Sequence, residues 1–370
     1  MMLRERGFGK RASCGAGLIG WRAPYMRWRF QWKDALRIVL ALLALALFLR
    51  VLLAQDLKLA VSLVKAAGPL ALTILVPYFV AIVFDSTGWR LLLGALSHRP
   101  SLLQLVRIRI VAEALNSLPS GAIFAEPYSV LMLRDRCGLP VTDAVVGAAA
   151  KKWLVTRTHA LYIGVSVALG GSLLTEKSRS LVGFSGLAWL VLASALIPMS
   201  ISVFIGGTLV RGTFVMGLFR TLSRLPSRLG ALFKQREATF LATQTQFQHF
   251  GQVGRNASRW ATPFFLLAWL TESVESFLIL RVLGASPTFL AVLSFEAGLS
   301  LLRNLAFFAP MGLGVQDLGY LRCFSSFGIP HAEATATAFV LLKRAKELVW
   351  IAIGSILLFA SGVRPEKRPG

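Results

Sequence analysis

Two carboxylates, Glu126 and Asp317, stand at matching places in two related stretches of this chain, each beside a cluster of helix-breaking residues. An acid at such a break can cap the free N–H groups of the half-helix that follows, or set the polarity of a chamber that the break opens. Both roles are carried forward for the two residues. Glu113 and Asn116, three apart, share a helix face leading into the first break, and Arg303 and Asn304 lead into the second. Lys151, Lys152 and Arg157, or Lys343, Arg344 and Lys346, can hold a lipid phosphate or else snorkel from a helix end to the headgroups. Glu272 and Glu275 face one way in an apolar window and Glu296 lies in the next. A charge near the bilayer centre costs about 2.5–3.5 kcal/mol, so these acids need partners. Arg303 and Arg281 are the nearest cations in sequence, and proton or sodium coupling is the functional alternative to structural pairing.

The elements that position these residues are duplicated. The stretch Glu113–Asp143 resembles Asn304–Glu333: Pro119, Gly121 and Glu126 match Pro310, Gly312 and Asp317 at one constant offset. After one residue of slippage, Gly138, Pro140, Asp143 and Ala144 match Gly328, Pro330, Glu333 and Ala334. Order and spacing kept over so many special residues indicate an internal repeat.

Composition sets the solvent. Of 370 residues, 55% are hydrophobic and only 15% charged, with a mean hydropathy of +0.66, which places the chain in a membrane. The net charge of +23 sits in two blocks, the N-terminus and Arg211–Arg259. Lys and Arg kept on the cytoplasmic side fix topology and meet anionic headgroups there, so nucleic acid is not the expected partner. The N-terminus lacks a short apolar core with a cleavage site, so the first apolar window is expected to remain as an anchor.

The expected plan is an all-α polytopic membrane protein with about seven to eight transmembrane helices and two broken re-entrant segments. A basic cytoplasmic arm covers 1–35. The first membrane half covers 36–210, with spans at 36–54, 69–96, 144–174 and 184–210, the last kinked at Pro198, and a re-entrant segment at 102–137. A basic linker covers 211–260, where Phe233, Phe240 and Phe247 recur every seven residues on an amphipathic helix. That helix lies either in the membrane interface or against the bundle. The second half covers 261–360, with spans at 261–283, 288–309 and 334–360 and a re-entrant segment at 310–327; a basic tail covers 361–370. Counted so, seven crossings leave the basic tail outside, against the positive-inside bias. Either the second broken segment crosses or a span is missing, and parallel and inverted repeats stay open.

No enzyme signature is present. His98, His159, His249 and His331 stand alone, Cys14, Cys137 and Cys323 have no metal or redox spacing, and no nucleophile elbow or phosphate loop occurs in a suitable context. No catalytic residue, metal or cofactor is expected.

Trp-Arg-x-Leu-Leu at Trp89–Leu93, then Glu113, Asn116, Leu118-Pro119, Ala125-Glu126 and Gly138, then Pro310-Met-Gly-Leu-Gly-Val-Gln-Asp317 and Arg344, resemble the flippase-like family. This family is also called the lysylphosphatidylglycerol synthase transmembrane region and includes hopanoid-cluster membrane proteins. The resemblance covers residues 36–360. It implies a bacterial inner-membrane fold with broken helices that binds or flips lipids. In lysyl-transferring members a soluble synthase domain follows the membrane part; none follows here, so aminoacyl transfer is expected to be absent. Glu126 and Asp317 match the acids of the family's two motifs. Ala125 stands where the family usually has Gly, and Ser129 where it has Arg, so Arg134 is the substitute cation for a phosphate there.

Three functions remain: a lipid translocase for a phospholipid, polyprenyl-phosphate or hopanoid-type lipid, held between the repeats; a proton- or sodium-coupled carrier of a small solute; and a non-catalytic partner that recruits a lipid-modifying enzyme. Binding residues expected for the first are Glu113, Asn116, Glu126, Arg134, Lys152, Arg157, Arg303, Asn304, Asp317 and Arg344.

Overall fold

The structure, a computed structural model, describes residues 57–117, 121–211, 213–224, 235, 237–305 and 314–360. The expected arm 1–35, the span 36–54, the tail 361–370, and Phe233, Pro119, Pro310 and Gly312 lie outside the described residues. Helix α1 (Leu57–Ala67) leads through a 3-10 segment (Gly68–Ile74) into α2 (Leu75–Ala95). Then follow α3 (Leu102–Asn116), α4 (Ala122–Cys137), α5 (Val141–Val182), α6 (Leu187–Ser194), α7 (Leu196–Arg211) and α8 (Thr213–Ser223). The second half holds α9 (Glu237–Val282), α10 (Phe289–Leu305), α11 (Val315–Ser326) and α12 (Ala332–Ala360). No strand occurs among the described residues. The protein is an all-α membrane protein. Four described segments, Lys58–Ala95, Val141–Val182, Leu187–Gly207 and Glu237–Val282, are long and apolar enough to cross a bilayer.

Both broken segments are helical hairpins. In the first, Gln104 at the start of α3 donates from Nε2 to the Arg136 carbonyl near the end of α4, at 3.1 Å. Leu105 and Ile108 pack in one cluster with Met132 and Leu133. Gly121 sits at the turn because a Cβ there would lie 2.0 Å from the Leu115 carbonyl; only glycine lets the return leg start so close to the first. In the second hairpin Phe295 of α10 meets Phe324 and Phe327, at centroid distances of 5.5 and 5.9 Å. Leu299 and Leu302 close on Gly319. The two legs are therefore antiparallel. Helix α10, described from Phe289 to Leu305 within the span expected at 288–309, is therefore the first leg of the second hairpin.

Each hairpin exits in the same way. Gly138 and Gly328 both adopt left-handed backbone, at φ 68° and 69°. The next N–H turns back onto the helix, Leu139 to Leu133 and Ile329 to Phe324, as in a Schellman-type end. Pro140 or Pro330 then precedes a long helix with an acid, Asp143 or Glu333, in its first turn. The duplicated Gly-apolar-Pro-x-x-acid string is thus a helix stop followed by a helix start.

The copies pack crosswise. Helix α2 lies on α9, α3 on α12, and α5 on α10. Exchanging the first copy's elements for the second's returns the same contacts, as a two-fold relation between the halves requires. Small residues let these helices approach. A Cβ on Gly354 of α12 would lie 2.8 Å from the Ile110 carbonyl of α3, and one on Gly170 of α5 would lie 2.1 Å from Ser294 Oγ of α10.

One expected boundary falls inside a continuous helix, and one expected span is broken in two. Residue 260 is within α9, whose 46 residues extend for about 70 Å, over twice the ~30 Å hydrocarbon layer. Its polar first half continues the span beyond the membrane. Phe247 and Phe250 are buried with Leu92 and Phe265, and Phe240 meets Phe219 of α8 at 5.2 Å, so this half packs on the bundle. The fourth span breaks at Ala195, between α6 and α7. Pro198 lacks the N–H that would reach Ser194 four residues back. Asn304 Nδ2 takes that freed carbonyl at 3.4 Å.

Candidate functional site

Helix α3 carries the first wall of the site. Ser101 and Gln104 form a capping box that fixes its start. Two turns on, Arg109 and Glu113 share a face. Arg109 donates from Nε to Asp85 Oδ2 at 3.1 Å and from Nη1 to Glu113 Oε2 at 2.5 Å. Asp85, buried on α2, also meets Lys151 Nζ of α5 at 2.9 Å. Lys151 is steered by Trp89, lying 4.5 Å from its ring centroid. Trp89 Nε1 in turn donates to the Gly147 carbonyl at 3.1 Å. The first residue of Trp-Arg-x-Leu-Leu therefore aims a cation at a buried acid.

The second copy supplies the facing wall. Arg303, at the end of α10, donates from both terminal nitrogens to Glu272 at 2.8 Å each, a two-point grip that fixes geometry as well as charge. Lys346 meets Glu275 at 2.7 Å. Arg344 bridges Asp317 at 2.9 Å and Glu347 at 2.8 Å. Asp317 Oδ2 also accepts the Gly314 N–H at 2.9 Å, capping α11. Lys343 donates to Tyr320 Oη at 2.5 Å, and Tyr320 donates to Glu296 at 3.0 Å.

Between the walls lies a cavity of about 600 Å³. Asn116 and Ser117, next to the first break, line one side, and Arg303 and Gln316, flanking the second, line the other. Arg109, Glu113, Glu272, Glu275, Lys343, Lys346 and Glu347 give it charge of both signs, and Tyr78, Trp269 and Trp350 give it aromatic faces. The two broken segments thus converge on one polar chamber.

Of the residues expected from sequence, Glu113, Asn116, Glu272, Glu275 and Arg303 line this chamber. Asp317 and Arg344 stand behind it, joined to its lining through Glu347. Asn304 points to the Ser194 carbonyl, and Glu296 is buried behind Tyr320. Four residues fall elsewhere. The side chain of Glu126 is 49% exposed and that of its partner Lys152 61%, with 3.5 Å between them. Arg134 is exposed beside Asp135, and Arg157 is exposed, near the Trp153 ring. The cause is helical phase: Glu126 is the fifth residue of α4 and Asp317 the third of α11, and two positions rotate a side chain by about 200°. Sequence reasoning missed Arg109 as a site residue, although its four-residue spacing from Glu113 was visible. It likewise passed over Tyr78, Trp269 and Trp350.

Duplicated helical hairpins around a charged chamber inside an apolar bundle define a polytopic membrane protein with a central polar site. The chain belongs to the family described as the lysylphosphatidylglycerol synthase TM region, which matches residues 35–354. The family links the protein to lipid metabolism. Comparison with curated proteins and with solved structures finds no match.

Proposed function

We propose that the protein binds the polar headgroup of a membrane lipid in the chamber between its two hairpins and moves it between leaflets. The observation that carries this is the convergence of both broken segments on one charged cavity, in a chain of a lipid-linked membrane family. Size supports a headgroup rather than a whole lipid: about 600 Å³ lies within the usual range for one small ligand, leaving the acyl chains in the bilayer. Among phospholipid, polyprenyl-phosphate and hopanoid-type lipids, a headgroup with both a phosphate and a donor group matches best. Cations for the phosphate (Arg109, Arg303, Lys343) alternate with acids for the donor (Glu113, Glu272, Glu347).

Topology follows from the hairpins. If α3–α4 and α10–α11 each return to the side they entered, and 36–54 crosses once, six crossings remain. Both basic ends then lie on the cytoplasmic face of a bacterial inner membrane. The second hairpin enters from the side opposite the first, giving inverted repeats of the kind that suit exposure of one site to two sides in turn. The test is reconstitution into vesicles with a headgroup-labelled fluorescent phospholipid, paired with mass spectrometry of the lipids that copurify. Faster transbilayer movement than in protein-free vesicles, together with a retained lipid, is the expected result. Protein-free rates and no retained lipid would remove the proposal.

A further inference from the structure

Behind Lys343, one of the chamber's cations, lies a side branch, Tyr320 and Glu296, that a headgroup does not touch. Lys343 lines the cavity and donates to Tyr320 Oη at 2.5 Å; Tyr320 donates onward to Glu296 Oε1 at 3.0 Å. Glu296 is 1% exposed, Tyr320 2% and Lys343 9%. Ser276 Oγ also donates to Glu296. The other acids around the chamber are held differently: Glu272 by both arms of Arg303, Glu275 by Lys346, and Asp85 by Arg109 and Lys151. Glu296 is held by two hydroxyls, with its cation, Lys343, 3.7 Å away. Among these acids Glu296 alone is reached from the chamber through a hydroxyl, that of Tyr320, which can pass a proton on.

We propose that Glu296 is a proton-exchange site, loaded and unloaded from the chamber through Lys343 and Tyr320. In the loading step the Lys343 ammonium gives a proton to Tyr320 Oη as Tyr320 gives its own hydroxyl proton to Glu296. Lysine is left as a neutral amine, tyrosine is unchanged, and glutamate becomes a carboxylic acid. Two protons hop, the net transfer is one proton from lysine to glutamate, and nothing is oxidised. Lys343 is recharged by hydronium in the chamber water, which leaves as water. The ionisable neighbours of Glu296 are Tyr162 on α5, Arg303 on α10 itself, Tyr320 and Cys323 on α11, and Lys343 on α12. Glu272 and Glu275 of α9 act on it through Lys343.

Coupling of this proton to lipid movement rests on the proposed function above; the exchange itself does not. The test is infrared difference spectroscopy on the full chain in lipid nanodiscs, after a jump between alkaline and acidic buffer. Wild type should show the carbonyl stretch of a newly protonated carboxylic acid, and Glu296→Gln should lack it. Tyr320→Phe should keep the band but form it about tenfold more slowly. No such band in wild type, the same band in Glu296→Gln, or full-speed formation in Tyr320→Phe would overturn the proposal. Labelled-lipid movement in vesicles is measured on the same preparations. Its absence with the band intact would end the lipid reading and leave the proton site standing.

Discussion

Lys346 and Glu275 meet at 2.7 Å with side chains 5% and 3% exposed, so loss of either leaves the other an unpaired, largely buried charge. Removing one member of such a buried pair costs about 3–5 kcal/mol, whereas replacing both with apolar groups of similar volume is often neutral. Glu275→Gln should therefore lower the unfolding midpoint in detergent markedly, and Glu275→Leu with Lys346→Met should restore most of it. An unchanged midpoint in the single variant would show that the pair carries no stability. Glu126 and Lys152, both exposed, should behave oppositely, since exposed ion pairs contribute about 0–1 kcal/mol. Glu126→Ala should leave lipid movement within about twofold of wild type, as a pair outside the chamber requires. At this scale the sequence was informative where a charge interrupted an apolar window, as with Glu272, Glu275 and Glu296. It misled where two acids aligned in sequence but not in helical phase, because phase depends on where each half-helix starts. Arg109 stayed hidden because Arg107 and the neighbouring apolar residues made it look like one more basic residue.

The elements were legible through their breakers. Pro119, Gly121, Gly138 and Pro140, with their counterparts, mark where the hairpins turn and where the next helix begins. Crossing lengths were less legible: α10 is apolar over its 17 described residues, close to the ~20 of a full span, and its packing on α11 is what marks it as a hairpin leg. The cross-packing of the copies makes its own prediction. Gly354 has no room for a methyl group, because the Ile110 carbonyl that it would meet is backbone. Gly354→Ala should push α12 from α3 and cost about 1–3 kcal/mol, the usual range for overpacking. It should also weaken lipid movement, since Trp350, on the same helix one turn away, lines the chamber. A midpoint and rate equal to wild type would show that the helices part without loss.

For the molecule as a whole, the proposed inverted repeats would put the two hairpin exits on opposite faces of the membrane. Composition gave the membrane and the duplication gave the two halves, but their relative direction depended on one hairpin leg that sequence cannot tell from a span. With the three cysteines replaced, Arg136→Cys and His331→Cys should label with an impermeant maleimide from opposite sides; labelling from one side would mean parallel copies. The central claim, that the charged chamber is where the lipid headgroup passes, is tested most directly by labelled-lipid movement in vesicles. That experiment compares Arg109→Gln and Arg303→Lys with Arg134→Ala and Lys152→Ala. Arg303→Lys keeps the charge and loses the two-point grip on Glu272. The account predicts a loss of about tenfold or more, at least 1.4 kcal/mol, for each chamber variant, and near wild-type rates for the two exposed ones. Equal rates in all four, or losses confined to Arg134 and Lys152, would contradict it.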